Sequence, residues 1–151
     1  MKKESGKKFV PVPWTADLET GHPDVDAQHR VLVGLLNDAG RALAGVEAAM
    51  LERLLTELIA YSDYHFDTEE CLMRQHRYAE QAPFEATTHL TQHRSFTSRV
   101  HAMYEALIDG GSLEPCELLD FLSGWLALHI RHTDQLLMQF VQQGRESHSP
   151  K

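Results

Sequence analysis

The sequence predicts an all-α protein: an antiparallel up-down four-helix bundle behind an irregular N-terminal arm. Three observations carry this. Four stretches repeat apolar residues at helical spacing, each long enough for roughly five turns. The prolines and the Gly110-Gly111 pair fall between those stretches or at their ends rather than inside them. No segment alternates apolar and polar residues at the period of a strand, and no internal repeat is visible. At 151 residues, with 42% apolar and 24% charged side chains, the chain suits one ordinary domain with its own core.

Pro11, Pro13, Gly21 and Pro23 forbid a continuous helix through residues 1–23, and Trp14 and Leu18 are placed to pin this arm against the bundle. The first helix is expected near Asp24, an N-cap, with the stripe Val25, His29, Leu32, Leu36, Ala39 and Leu43, closed by Gly45. The second runs from about Glu47 to Arg74 on Leu51, Leu54, Leu58, His65, Glu69 and Leu72. A connection from Gln75 to Pro83 comes next. The third carries His89, His93, Phe96, Val100, Met103 and Leu107 and stops at Gly110-Gly111. Ser112 can cap the fourth, with Pro115 in its first turn. Its stripe is Leu118, Leu122, Trp125, His129, Leu136 and Phe140, and Gly144 ends it. The expected organisation is a flexible extension over 1–13, the bundle over 14–143 and a flexible tail over 144–151.

The net charge of −8 disfavours nucleic acid as a partner. No stretch approaches the length of a membrane span, and the lysines at positions 2, 3, 7 and 8 precede no apolar run of the signal-peptide kind. Cys71 and Cys116 show no metal or redox spacing, which suits a reducing cytoplasm. The expected location is therefore cytoplasmic.

Ten histidines are the anomaly, and they sort by face. His22, His76, His101, His132 and His148 fall in loops, on outer faces or in the tail. His29, His65, His89, His93 and His129 fall on the core stripes, at least one from each helix. His65 and Glu69 share a helical face at i, i+4, as do His89 and His93. A single histidine on such a face is ordinarily a core residue bonded to a carbonyl. Five of them buried with a glutamate would cost several kcal/mol in unmet polar groups, about 1–3 kcal/mol each. A shared metal site removes that cost. Asp134 lies five residues after His129, about 140° round a regular helix. It is either a solvated aspartate or, through a local π-bulge, a member of the same face.

Imidazole and carboxylate without thiolate disfavour a structural zinc site and suit iron. Seven ligands are too many for one ion. If Glu69 and Asp134 both bridge, three histidines complete one iron and two leave the other with an open position.

The pieces Val25-Asp26-Ala27-Gln28-His29, His65-x-x-x-Glu69, His89-x-x-x-His93 and Trp125-Leu126-x-x-His129-Ile130-x-x-x-Asp134 together resemble the hemerythrins, in particular the single-domain bacteriohemerythrins. The resemblance spans about Trp14 to Val141. It implies that two iron ions, oxo- or hydroxo-bridged, are held by His29, His65, Glu69, His89, His93, His129 and Asp134. His89, His93 and His129 would serve the filled iron, and His29 and His65 the open one. Trp125 and Leu126 would stand beside the oxygen pocket. The segment Tyr78 to Thr88 is longer than the family pattern, as loop or as a delayed helix start. The implied function is reversible dioxygen binding for storage, delivery or sensing, without enzymatic turnover, with an oxygen-using enzyme as a possible partner. The alternatives are a redox- or nitric-oxide-responsive di-iron protein and a di-iron oxidase. The oxidase pattern wants Glu-x-x-His pairs, whereas Glu85 and His89 stand four apart.

Overall fold

The computed structural model describes residues 9–44, 48–109 and 114–147. After a 3₁₀ turn at Ala16–Leu18 come α1 (Pro23–Ala44), α2 (Ala48–Gln75), α3 (Tyr78–Gln81), α4 (Pro83–Ile108), α5 (Pro115–Leu128), a π-helical segment (His129–Asp134) and α6 (Gln135–Ser147). α5, the π-segment and α6 form one continuous rod. The helices close a ring: α1 packs on α2 and α5, and α4 packs on α2 and α5. This is the all-α bundle that the periodicity predicts. No helix among the described residues is long and apolar enough to cross a membrane.

The core is layered along the bundle axis. One apolar layer holds Leu32, Leu36, Leu55, Leu58, Phe96, Val100, Leu118, Leu122 and Leu126. The other holds Val25, Leu72, Met73, Tyr78, Ala86, Leu137, Met138 and Val141. On every long rod the buried polar residues fall between the two. Those residues are Gln28 and His29 on α1, Ser62, His65 and Glu69 on α2, His89 and His93 on α4, and His129 and Asp134 on the last rod. Each helix thus switches from apolar to polar and back on a single face, and the four switches are level with one another.

The arm is docked from Phe9 onwards, inside the stretch expected to be free. Phe9 and Val12 pack against the first layer. The Val12 N–H donates to Asn37 Oδ1 at 2.8 Å, and Asn37 Nδ2 donates to the Val12 carbonyl at 2.9 Å. A β-carbon on Gly40 would lie 1.9 Å from the Phe9 ring, so the arm crosses α1 where there is no side chain. Leu18 is fully buried, while Trp14 is half-buried beneath the Arg30 guanidinium at 4.6 Å.

Several element boundaries differ from expectation for identifiable reasons. Helix α1 starts at Pro23, and Asp24 lies in its first turn rather than capping it. The side chain of Asp26 instead folds back to accept the N–H groups of Thr20 and Gly21. The connection after α2 is not loop. Arg77 turns the chain with φ 55, α3 forms at once, and Pro83 opens α4 at a position where its missing N–H is not needed. An arginine in that left-handed conformation costs about 1–2 kcal/mol. The buried Tyr78, 4.9 Å from the Phe140 ring, holds the turn in place. α6 runs through Gly144 to Ser147, since one glycine costs a packed helix only about 1 kcal/mol. Gly45, Glu47, Gly110-Gly111, Ser112 and His148 lie outside the described residues, as does the side chain of Leu51.

Candidate metal centre

The four level switches bring all seven candidate ligands together, each buried. Asp134 is among them because the chain is π-helical over His129–Asp134, so that i+5 returns to the face that i+4 would normally occupy. The extra residue also turns the remainder of the rod. Leu136, expected in the stripe, is 52% exposed, and Leu137 and Met138 are buried instead.

The two carboxylates are shared between two groups of imidazoles. Asp134 Oδ2 lies 2.8 Å from His29 Nε2 and 4.0 Å from His65 Nε2. Its Oδ1 lies 3.1 Å from His89 Nε2 and 3.0 Å from His129 Nε2. Glu69 Oε1 lies 2.8 Å from His65 Nε2 and 3.6 Å from His93 Nε2, and its Oε2 lies 3.3 Å from His89 Nε2. The ligand atoms form two sets, each able to surround one cation: His89, His93 and His129 with Glu69 and Asp134, and His29 and His65 with the same carboxylates.

None of these approaches has hydrogen-bond geometry. Both oxygens of Glu69 and of Asp134, and Nε2 of His89, His93 and His129, are buried without a hydrogen bond. Among the described residues, every buried side-chain atom left in that condition belongs to this cluster. Groups of this kind cost about 1–3 kcal/mol each when unmet. Two cations between them would meet all seven inward-facing atoms, so the donor set fits a pair of metal ions.

Three of the five outer nitrogens are held by residues that sequence reasoning missed, while Nδ1 of His29 and of His89 is buried without a hydrogen bond. His65 Nδ1–H donates to Gln28 Oε1 at 2.7 Å, and Gln28 is in turn fixed by Thr68 at 3.1 Å. His93 Nδ1–H donates to Glu70 Oε2 at 3.1 Å. His129 Nδ1–H donates to Gln92 Oε1 at 2.8 Å, and the Thr133 hydroxyl donates to the same oxygen. Donation from Nδ1 leaves Nε2 as the inward-facing atom, available to a metal once any proton on it is displaced. Each partner is the chain neighbour of a ligand on another helix: Gln28 precedes His29, Glu70 follows Glu69 and Gln92 precedes His93. That adjacency was the available signal.

Aromatic rings fix the three-histidine side. Phe66 stacks on His93 at 4.0 Å and Trp125 on His129 at 4.4 Å, with Phe96 against Trp125. Leu126 is buried in the apolar layer beside them. His101 and His132 are exposed. His22 is in the arm as expected but buried, where its Nδ1 accepts the Val25 N–H.

Burial penalises every charge in this layer. It pulls the His65 and His89 imidazoles down, yet Glu69 and Asp134 reverse the sign and hold them at about 10 and about 9. For His129 burial prevails and its pKa falls. Burial pushes the two carboxylates up, but the imidazoles around them prevail and both stay below the usual range. The anionic form of both is therefore favoured, and the protons on His65 and His89 supply the facing positive charge until a cation takes their place.

Comparison with known proteins agrees with this geometry. Residues 20–141 match the Hemerythrin HHE cation binding domain. A bacteriohemerythrin of Stenotrophomonas maltophilia is 35% identical over 122 residues, covering 81% of this chain and 76% of that protein. Bacteriohemerythrins of Pseudomonas aeruginosa and Pseudomonas paraeruginosa are each 34% identical over 121 residues, covering 80% of this chain and 75% of theirs. A buried, histidine-rich polar layer with two shared carboxylates, set in a helical bundle that matches over most of its length, places the chain in the hemerythrin family.

Proposed function

We propose that this protein binds dioxygen reversibly at two iron ions, for oxygen storage, delivery or sensing. The single observation that supports this best is the uneven division of five inward imidazoles around two shared, anionic carboxylates. Ferrous ions held there would supply the electrons that reversible dioxygen binding draws on. His89, His93 and His129 would hold one ion and His29 and His65 the other, with Glu69 and Asp134 common to both. An ion at the two-histidine position would have one protein ligand fewer than its neighbour, and that position would be open to a diatomic molecule.

The apolar layers on either side of the site exclude bulk water and stray protons. Trp125 and Leu126 would wall the oxygen pocket, with Trp125 also fixing the His129 ring. Every buried titratable side chain at the site is taken up as a ligand. The free thiols Cys71 and Cys116 support a reducing, cytoplasmic setting, where an oxygen-using enzyme is a natural recipient.

The test is anaerobic loading with ferrous iron, then oxygen exposure and removal, monitored by visible absorption and elemental analysis. Two irons per chain, with charge-transfer bands that appear in oxygen and vanish on its removal, are expected. One metal per chain, or bands that do not reverse, would overturn the proposal.

A further inference from the structure

Outside the metal layer, a cleft of about 450 Å³ lies between the end of α2, α3 and the first half of α4. Its floor is apolar: Met73 and Ala86 are buried and Leu90 is half-buried. Its rim carries Arg74, Arg77 and Arg94. In a chain of net charge −8, arginines are readily partnered. Arg30, Arg41 and Arg131 each hold a carboxylate, and Arg99 lies over the Phe121 ring. The three rim arginines make no ion pair or side-chain hydrogen bond among the described residues. Of the two carboxylates that also line the cleft, Glu80 is exposed and Glu70 accepts from His93.

Arg77 adds a second, independent sign. It is the one non-glycine residue with positive φ among the described residues, at the place where a helix end favours glycine. Glycine there would relieve the backbone but remove a guanidinium from the rim. The adjoining α3 turn contributes Ala79 and Glu80 to the same cleft, so the connection between α2 and α4 forms this wall.

We infer that the cleft binds a small organic anion: a carboxylate on a short hydrocarbon body. Guanidinium forks match a carboxylate in geometry and charge. Met73, Ala86 and Leu90 take the hydrocarbon, and the volume falls in the range of small-molecule sites. The occupant lies one side chain from the metal layer, because Glu70 is both a wall of the cleft and the outer partner of His93. The inference does not depend on which metal that layer holds.

Isothermal titration of the iron-loaded full chain with octanoate tests it, with inorganic phosphate and octylamine as comparison probes. Octanoate should bind once per chain with a Kd below about 1 mM, and both comparison probes at least about tenfold more weakly. Arg77→Gly should weaken octanoate at least about tenfold while keeping or raising Tm, because glycine accepts the backbone conformation. Arg53→Ala, exposed on α2 away from the cleft, should change neither. No octanoate binding up to about 10 mM would overturn the inference, as would unchanged affinity in Arg77→Gly. Phosphate binding as tightly as octanoate would overturn it too, since the floor would then play no part.

Discussion

Asp134→Asn removes one charge and almost no volume, which makes it the sharpest probe of the shared carboxylates. Asp134 is fully buried and turns one oxygen to each histidine group, at 2.8 Å from His29 and 3.0 Å from His129. A unit charge about 4 Å from its partner is worth about 4 kcal/mol at an effective dielectric of about 20, so a dication loses about 8 kcal/mol of attraction. Relief of carboxylate desolvation and the remaining amide dipole offset part of this. If only a third survives, the loss is still about 2.7 kcal/mol, roughly a hundredfold in affinity. Because the same side chain faces both groups, both ions should be lost together. His29→Ala, by contrast, takes one neutral donor from one group and should leave the three-histidine ion in place. The assay is iron per chain by elemental analysis after gel filtration, with circular dichroism to show that the helices persist. An Asp134→Asn protein that retains two irons, or loses only one, refutes the bridging role.

Three further outcomes are expected. Gln92→Ala frees the His129 ring from its outer partner and should cost about 10–100-fold in metal affinity with little change in helix content; an unchanged iron titration would show that Trp125 stacking alone fixes the ring. Gly40→Ala puts a β-carbon 1.9 Å from the Phe9 ring and should displace the arm, lowering stability by about 1–3 kcal/mol in urea unfolding; an unaltered midpoint would mean that the arm contributes nothing. Loading iron should release protons at neutral pH, because His65 and His89, with pKa values raised to about 10 and about 9, carry them until a cation replaces them. Metal affinity should therefore climb with pH towards those values, and calorimetry in two buffers of different ionisation enthalpy reads the proton count; a count of zero contradicts the reading.

The helices and their inward faces were legible because leucine and histidine recur at helical spacing on a chain without strand alternation. Asp134 was legible only through a conditional: it joins the face if the helix bulges, and periodicity cannot say whether it does. For the same reason Leu136 was misplaced, since a regular helix carried past the bulge points the wrong residue inwards. Gln28, Glu70 and Gln92 were missed because an outer partner acts across helices, and a single-helix pattern holds no such relation. The turn at Arg77 and the helical continuation α3 were also out of reach, because an arginine in a left-handed conformation goes against local preference and persists only through tertiary contacts such as those of Tyr78.

The π-segment also sets how this protein can change over generations. A substitution alters one side chain and leaves the phase of the rod intact. The step from His129 to Asp134 is instead a phase slip, and everything downstream is written in the shifted phase, with Leu137, Met138 and Val141 facing in and Leu136 facing out. An aspartate at Thr133 would restore the regular spacing to His129, but only in a rod whose later turns were rewritten to match. Deleting one residue within 130–133 would let a regular helix close the gap, leaving the aspartate four residues after His129 and Leu137, Met138 and Val141 still facing in. The shared carboxylate and the distal core therefore keep one phase: a single deletion within the bulge carries both across together, whereas moving the carboxylate by substitution would require the later turns to be rewritten.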